Sequence, residues 1–299
     1  LHGVGLSVVN ALSTKLELTI FRNKKKYYQK YNFGKSEDIL KIIGDSEFSG
    51  TQIRFWPNLN IFKNIIDFDY YILQKRCQEL AFLNSNIKIN LIDNRDNKKE
   101  YFFYKGGIQE FLKKLYKNNF CIHKKNFYFY DKKNNVSIEL ALQWNNSYNE
   151  KILCFTNNIP QNDGGTHLMG LKSAITRAFN HYIEKEGYLK KIKNNAAGED
   201  IREGLIAILS IRMFNPKFSS QTKEKLVSSE IKSIVESITY DKLNNFLLEN
   251  PKDAKLIINK IINAIKARES ARKAKEIIRK KCNLDLLNLS GKLSECQEK

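Results

Sequence analysis

The chain opens with two glycines, Gly3 and Gly5, that run directly into a segment with apolar residues at helical spacing. Glycine lets backbone N–H groups come close to a ligand. A helix N-terminus adds unpaired donors and the positive end of the helix dipole, so the arrangement suits a polyphosphate. The third glycine of a dinucleotide fingerprint and the Gly-Lys-Ser/Thr of a P-loop are both missing. A glycine turn before a core helix therefore remains the alternative.

Composition indicates a globular chain in a reducing compartment. Its 299 residues, with 42% hydrophobic content, are enough for two domains that each have a core. No apolar run approaches the roughly eighteen residues of a membrane span, and the first residues lack the pattern of a signal peptide. The five cysteines contain no Cys-x-x-Cys pair, which is typical of reduced thiols. We therefore expect a cytoplasmic protein without a membrane partner.

The chain carries an excess of positive charge, most of it in the second part. The formal net charge is +19, from 51 Lys+Arg against 32 Asp+Glu. Residues after Lys105 contribute +13 of this, and residues 252–281 contain eleven basic and three acidic residues. Such an excess indicates a polyanion partner such as DNA. Because Lys and Asn are abundant throughout, general compositional bias is the alternative.

A basic helix is predicted to run from Pro251 to about Cys282, and it supplies the candidates for DNA contact. Arg268, Arg272 and Arg279 are spaced by four and seven residues, which places them along one side of a helix. We expect them to contact phosphate.

Hydrophobic periodicity predicts mixed helices and strands on either side of a boundary at Gly106-Gly107. Residues 136–144 are expected to pair with residues 151–155 as a hairpin, and residues 205–211 to form a strand buried on both faces. The other predicted strands are 15–21, 26–33, 52–56, 87–92 and 100–104, and the other predicted helices are 68–82, 108–116, 167–186 and 225–246.

Three strings carry a resemblance to a known family. They are the opening LHGVGLSVVNALS, the string GTQIRFWP from Gly50, and the string FSSQTK from Phe218. Together they resemble the GHKL ATPases, and within them the type IIA topoisomerases of the gyrase B kind. The resemblance extends from Leu1 to Lys299.

The resemblance implies an α+β fold. Its first part is the C-terminal portion of a GHKL (Bergerat) ATPase α/β sandwich. A transducer domain with a mixed sheet, crossover helices and a long C-terminal helix follows. The implied ranges are a partial ATPase domain at 1–106, the transducer at 107–282, and a linker at 283–299 towards a metal-binding DNA-cleavage module.

The resemblance also implies residues that bind ATP in the first part of the chain. Thr51 matches a threonine that takes part, with water, in adenine recognition, and Arg22 matches an arginine at the pocket rim that contacts aminocoumarin inhibitors. The backbone N–H groups that wrap the β- and γ-phosphates would come from Leu1, His2, Gly3, Val4 and Gly5.

A second group of residues reaches the same nucleotide from the transducer. Gln221 and Lys223 match a loop that contacts the γ-phosphate and acts in catalysis. Lysine, a compact point charge, suits a terminal phosphate. In that family the general base and the ligands of Mg²⁺ lie before the position of Leu1. We therefore expect no metal ligand in this chain, and we expect an internal piece that is inactive alone.

The resemblance implies an ATP-hydrolysing subunit that uses ATP and Mg²⁺ and acts on DNA. ATP-driven dimer closure and hydrolysis would be coupled to strand passage and negative supercoiling, with a gyrase A-type subunit in an A2B2 heterotetramer. The alternatives are a topoisomerase IV B subunit, which relaxes and decatenates, and a GHKL chaperone or mismatch-repair ATPase. A non-enzymatic basic scaffold for nucleic acid is a further alternative.

Overall fold

A computed structural model describes residues 4–63, 67–116, 120–188 and 196–286, with side chains as far as Arg279. The chain divides into two compact units, Leu1–Leu73 and Gln74–Lys299. The assignment of ATPase, transducer and linker to residues 1–106, 107–282 and 283–299 stays a prediction. Among the described residues, no helix is both long enough and apolar enough to cross a membrane.

The first unit is an antiparallel sheet preceded by one short helix. The strand order is β3-β2-β1-β5, and β4 pairs with β2. Strand β1 is antiparallel to both β2 and β5. The elements are α1 (Val4–Ala11), β1 (Ser13–Arg22), β2 (Lys25–Asn32), β3 (Lys35–Ser36), β4 (Lys41–Asp45) and β5 (Gly50–Pro57).

Two tight turns connect the first three strands. Asn23 and Lys24 have φ angles of 55° and 58°. Positive φ at both central residues matches the right-handed twist of a hairpin, which explains why an asparagine begins this turn. Phe33 and Gly34 form the second turn, with φ angles of 46° and 79°. The sequence predicted the first hairpin but not the second, and it did not predict β4.

The second unit contains a five-stranded mixed sheet and a separate hairpin. The sheet order is β11-β10-β12-β9-β8, and β6 pairs with β7. Helix α2 begins before the boundary between the units. The elements are α2 (Tyr70–Leu83), β6 (Ile89–Asp93), β7 (Lys98–Phe102), α3 (Gly107–Leu115), β8 (Phe127–Lys133), β9 (Val136–Trp144), β10 (Lys151–Thr156), β11 (Ile159–Pro160), α4 (Thr166–Lys185), α5 (Gly198–Arg202), β12 (Leu205–Arg212), α6 (Glu230–Glu249) and α7 (Pro251–Leu286). The α+β fold is confirmed.

The predicted hairpin between residues 136–144 and 151–155 is wrong. Strand β12 lies between β9 and β10, antiparallel to the first and parallel to the second. Residues Leu205–Ile211 of β12 are buried on both faces, as predicted. This nearly continuous apolar strand lies at the centre of a sheet that helices cover on both faces, as such a run predicts.

Helices cover both faces of this sheet. On one face Trp144 of β9 meets Phe179 of α4, with 5.1 Å between ring centroids. Helix α4 also crosses α6 so closely that a Cβ on Gly170 would lie 2.4 Å from the carbonyl oxygen of Lys232. On the other face Phe82 of α2 stacks on Phe111 of α3, with 4.7 Å between centroids.

Two boundaries and one strand differ from the prediction. Helix α6 begins at Glu230, not at Lys225, because Leu226 is extended and bridges to Gly165 and Phe218. Helix α7 continues to Leu286. Strand β8, which pairs with β9, was expected to be a loop.

Candidate functional site

The opening glycine box is only partly described. Leu1, His2 and Gly3 lie outside the described residues, and Val4 begins α1. Among the described residues outside α1, no atom lies within 4 Å of the position that a Cβ on Gly5 would occupy. No residue of α1 is buried. The helix is confirmed, but its apolar residues do not form a core within the described chain.

Thr51 and Arg22 lie on one face of the first sheet. Thr51 of β5 is directly opposite Ile20 of β1, and Arg22 follows two residues later on β1. Because side chains two apart on a strand share a face, Thr51 and Arg22 are diagonal neighbours. Both are exposed. This face therefore presents a hydroxyl and a guanidinium together, while their roles in ATP binding stay predictions.

The loop that carries Gln221 and Lys223 is a hairpin-like turn. Its base is closed by two backbone bonds, from the N–H of Val227 to the carbonyl oxygen of Lys217 at 2.9 Å and from the N–H of Ser219 to that of Lys225 at 3.1 Å. At the tip, the N–H of Lys223 donates to the carbonyl oxygen of Ser220 at 3.1 Å.

Lys223 has an unusual backbone conformation for its residue type. Its φ angle is 60°, in the left-handed region that favours glycine and asparagine. Lys223 is half-buried, Gln221 is exposed, and Lys223 makes no ion pair with any described residue. A strained backbone that holds an unpaired lysine at a loop tip is typical of a functional position.

A glycine cradle at the start of α4 supports this loop. The N–H of Leu226 donates to the carbonyl oxygen of Gly164 at 3.1 Å, and the N–H of Thr166 donates to that of Leu226 at 3.0 Å. Gly165 has a φ angle of 138°, and a Cβ there would lie 2.2 Å from the carbonyl oxygen of Leu226. The predicted helix at residues 167–186 is confirmed as α4, whereas the close approach of Gly165 to Leu226 was not predicted.

His167 follows the cradle and is fully buried. Its side chain is 0% exposed, and neither ring nitrogen has a hydrogen-bond partner among the described residues. Burial lowers the pKa of His167 to about 4, because the imidazolium loses its hydration there. The folded chain therefore holds this imidazole neutral.

Acid should destabilise the chain partly through His167. The pKa of His167 is about 4 in the folded chain and near 6.5 in the unfolded chain. Its contribution to the free energy of unfolding is therefore fully present above pH 6.5 and is lost as the pH falls towards 4. We expect the loss of unfolding free energy between pH 7 and pH 4.5 to be about 2 kcal/mol smaller in His167→Gln than in the unmodified chain. Urea unfolding at both pH values measures it. An equal loss in both proteins would contradict the prediction.

The three candidate arginines of α7 lie in different settings. Arg268 clasps Asp200, a buried carboxylate of α5, through Nε at 2.8 Å and Nη2 at 2.9 Å. Arg272 is exposed and lies 3.5 Å from Glu276 one turn later. Arg279 is exposed. Because Arg268 is held by Asp200, Arg272 and Arg279 are the freer candidates for phosphate.

Comparison with known proteins identifies the family of the chain. The family model of DNA gyrase B matches residues 107–277. The chain belongs to the DNA gyrase B family. Gyrase B subunits of Rickettsia typhi and Caulobacter vibrioides are 49% and 46% identical to it over the whole chain, and the chain spans 37% and 39% of their length. The predicted resemblance is therefore confirmed.

Solved structures agree with membership of the gyrase B family. The 43K ATPase domain of Thermus thermophilus gyrase B, in complex with an aminocoumarin, is similar with a TM-score of 0.76 and 35% identity, over 92% of this chain and 75% of that one. The topoisomerase IV ATP-binding domain of Francisella tularensis has a TM-score of 0.76 and 29% identity, over 89% and 73%.

Proposed function

We propose that the chain is the ATP-binding and transducer segment of a type IIA DNA topoisomerase of the gyrase B kind. The observation that carries the proposal is the likeness to the ATPase domain of T. thermophilus gyrase B over 92% of the chain. ATP is the substrate. ATP would close two copies into a dimer that traps a DNA segment, and hydrolysis with product release would reset this dimer after strand passage.

The described residues can bind the nucleotide in the first unit. The first turn of α1, with Gly5 at its second position, would present N–H groups to phosphate oxygens. Thr51 would take part in adenine recognition, and Arg22 on the same face would lie at the rim. Backbone donors of this kind require no reorganisation when the phosphate arrives.

Lys223 would supply the charge that the reaction needs. Phosphoryl transfer spreads negative charge over the γ-phosphate oxygens, and catalysis consists largely of positioning and electrostatic stabilisation. The Lys223 ammonium, unpaired in the described chain, would neutralise part of that charge. Gln221 would add an amide hydrogen bond. The strained turn would hold both side chains in position to contact the γ-phosphate.

The family implies Mg²⁺ as well as ATP. Among the described residues, no group of three His, Cys, Asp or Glu stands close enough to hold a metal ion. These residues therefore do not fit a complete Mg²⁺ site, and no step assigned here to Gly5, Thr51, Gln221 or Lys223 runs through the ion.

Coupling to DNA would need a gyrase A-type partner in an A2B2 heterotetramer. The test is to combine the intact subunit with that partner and relaxed plasmid DNA. We expect negative supercoils that require ATP.

ATP-dependent relaxation or decatenation without supercoiling would instead favour a topoisomerase IV B subunit, for which the F. tularensis neighbour is the supporting observation. No ATP-dependent change in DNA topology would overturn the proposal. Membership of the gyrase B family leaves no support for a GHKL chaperone or mismatch-repair ATPase.

The basic part of α7 should contribute to DNA binding. We expect the double variant Arg272→Gln with Arg279→Gln to lower the slope of log affinity against log salt by about 2, because each lost phosphate contact changes it by about 1. Binding of the intact subunit to duplex DNA at several salt concentrations measures this slope, and ATP affinity should stay constant. Arg268→Gln is the contrasting variant, since it removes the clasp on Asp200 and should lower stability. An unchanged slope in the double variant would indicate compositional bias.

A further inference from the structure

A cavity of about 470 Å³ lies in the second unit, and the side chains of Lys223 and of α7 are not among those that line it. Helices α2 and α3, strand β10 and the turn after β11 line it. Its lining is mixed, and the apolar part includes Phe111, Leu115, Ile152 and Leu153. None of the roles proposed above uses this cavity.

The first part of the outer edge of β10 has no partner strand among the described residues, and it lies at this cavity. Strand β10 pairs with β12 along its length, but β11 pairs only with Phe155 and Thr156. The N–H of Gln161 donates to the carbonyl oxygen of Cys154 at 2.9 Å, which identifies the outward direction. Because backbone groups alternate along a strand, the N–H and C=O of Ile152 point the same way. An unpaired edge of this kind is a template for another strand.

Three lysines are among the residues that line the cavity. Lys75 of α2, Lys114 of α3 and Lys151 of β10 all line the cavity and are all exposed. None of them makes an ion pair with a described residue. Glu79 is the one carboxylate that lines the cavity, and Arg76 pairs with it at 3.2 Å. The cavity therefore presents uncompensated positive charge.

The side-chain oxygen of one buried glutamine at the cavity accepts no hydrogen bond from the described residues. Gln161 is 4% exposed and lines the cavity. Its Nε2 donates to the carbonyl oxygen of Ile159 at 2.8 Å and, more weakly, to the carbonyl oxygen of Lys223 at 3.5 Å. Its Oε1 has no partner among the described residues. A buried acceptor left without a donor costs about 1–3 kcal/mol, so a bound N–H group would stabilise it.

We propose that this cavity binds an acidic peptide in extended conformation, added as a strand along the outer edge of β10. Such a peptide supplies the N–H and C=O groups that Ile152 lacks, a donor within reach of Gln161, and carboxylates for the three lysines. Every second side chain of the peptide is apolar and packs against the apolar residues that line the cavity. A small inorganic anion would leave those walls empty, and a nucleic acid strand would leave the edge of β10 unpaired.

The test uses the 299-residue chain and a fluorescein-labelled peptide of alternating glutamate and valine, followed by fluorescence anisotropy. We expect saturable binding. Charge reversal of all three lysines, Lys75, Lys114 and Lys151, to Glu should weaken it by at least about tenfold, which corresponds to about 1.4 kcal/mol. The matched control reverses three other exposed lysines, Lys99, Lys132 and Lys133, and should weaken binding by less than about twofold.

Amide hydrogen exchange provides a second readout that does not depend on charge. The peptide should slow exchange of the Ile152 amide, and the same peptide N-methylated at alternate residues should not. Gln161→Leu should weaken binding while the charge-reversal control binds normally. Equal weakening by both lysine triples, no protection at Ile152, or no saturable binding would overturn the proposal. Tighter binding of oligothymidylate that the three-lysine reversal abolishes would also overturn it, in favour of nucleic acid.

Discussion

Replacing Lys223 by alanine is expected to lower ATP turnover by the intact subunit by about 100-fold to 1,000-fold, because removal of one charge-stabilising donor costs about 2.7–4 kcal/mol in the transition state. Lys223 lies at the tip of a loop that two backbone bonds close at its base. The loop should keep its shape without this side chain. The loss should therefore appear mainly in kcat and less in KM.

Lys225→Ala is the matched control for this prediction. Lys225 is exposed on the same loop, and its carbonyl oxygen accepts a bond at the base. Because that bond involves the backbone, Lys225→Ala should keep nearly full turnover. Equal turnover in Lys223→Ala and the unmodified subunit, with equal melting temperatures, would refute the role of Lys223.

Gly165→Ala should destabilise the chain by about 3 kcal/mol or more. The conformation of Gly165, with φ 138° and ψ −158°, is one that only glycine adopts readily, which alone costs about 1–3 kcal/mol in other residues. The new Cβ would also lie 2.2 Å from the carbonyl oxygen of Leu226, so either α4 or Leu226 has to move. Forced repacking costs about 1–3 kcal/mol more.

Gly187→Ala is the control that separates the cost of the backbone conformation from the cost of the steric clash. Gly187 has a φ angle of 72°, but no atom of the described residues lies within 4 Å of its Cβ position. This variant should therefore lose only about 1 kcal/mol, from the backbone conformation. Urea unfolding of the 299-residue chain measures both variants. Equal and small losses would show that the cradle can relax and does not fix the Lys223 loop.

Local pattern predicted most elements of the fold. The Asn23-Lys24 turn, helix α4 and the buried strand β12 all follow from short-range signals, namely turn chemistry, helical spacing and an apolar run. The order of strands did not follow. Strands β9 and β10 are close in sequence and were assigned to a hairpin, yet β12 separates them. That outcome depends on which strand gains most from the centre of the sheet, and this is a comparison across the whole domain.

The candidate site could be predicted where its residues lie together in one short sequence motif. It could not be predicted where residues from distant segments come into contact. The string from Phe218 to Lys223 singled out the candidate loop. Its support could not be seen, because Gly165 and Leu226 are far apart in sequence. The clasp between Arg268 and Asp200 was missed for the same reason, and spacing along α7 alone made Arg268 look free. Two adjacent glycines before a helix were the one available signal of a close approach.

The end of α7 extends beyond the contacts that hold the rest of the helix. No residue of α7 is buried after Ile265 among those whose side chains are described, and Arg268 is its last clasp to α5. From Arg268 to Leu286 the helix extends about 27 Å, so a tilt of about 10° at the clasp would move the far end by about 5 Å. A small rearrangement near Asp200 would thus become a displacement larger than a hydrogen bond.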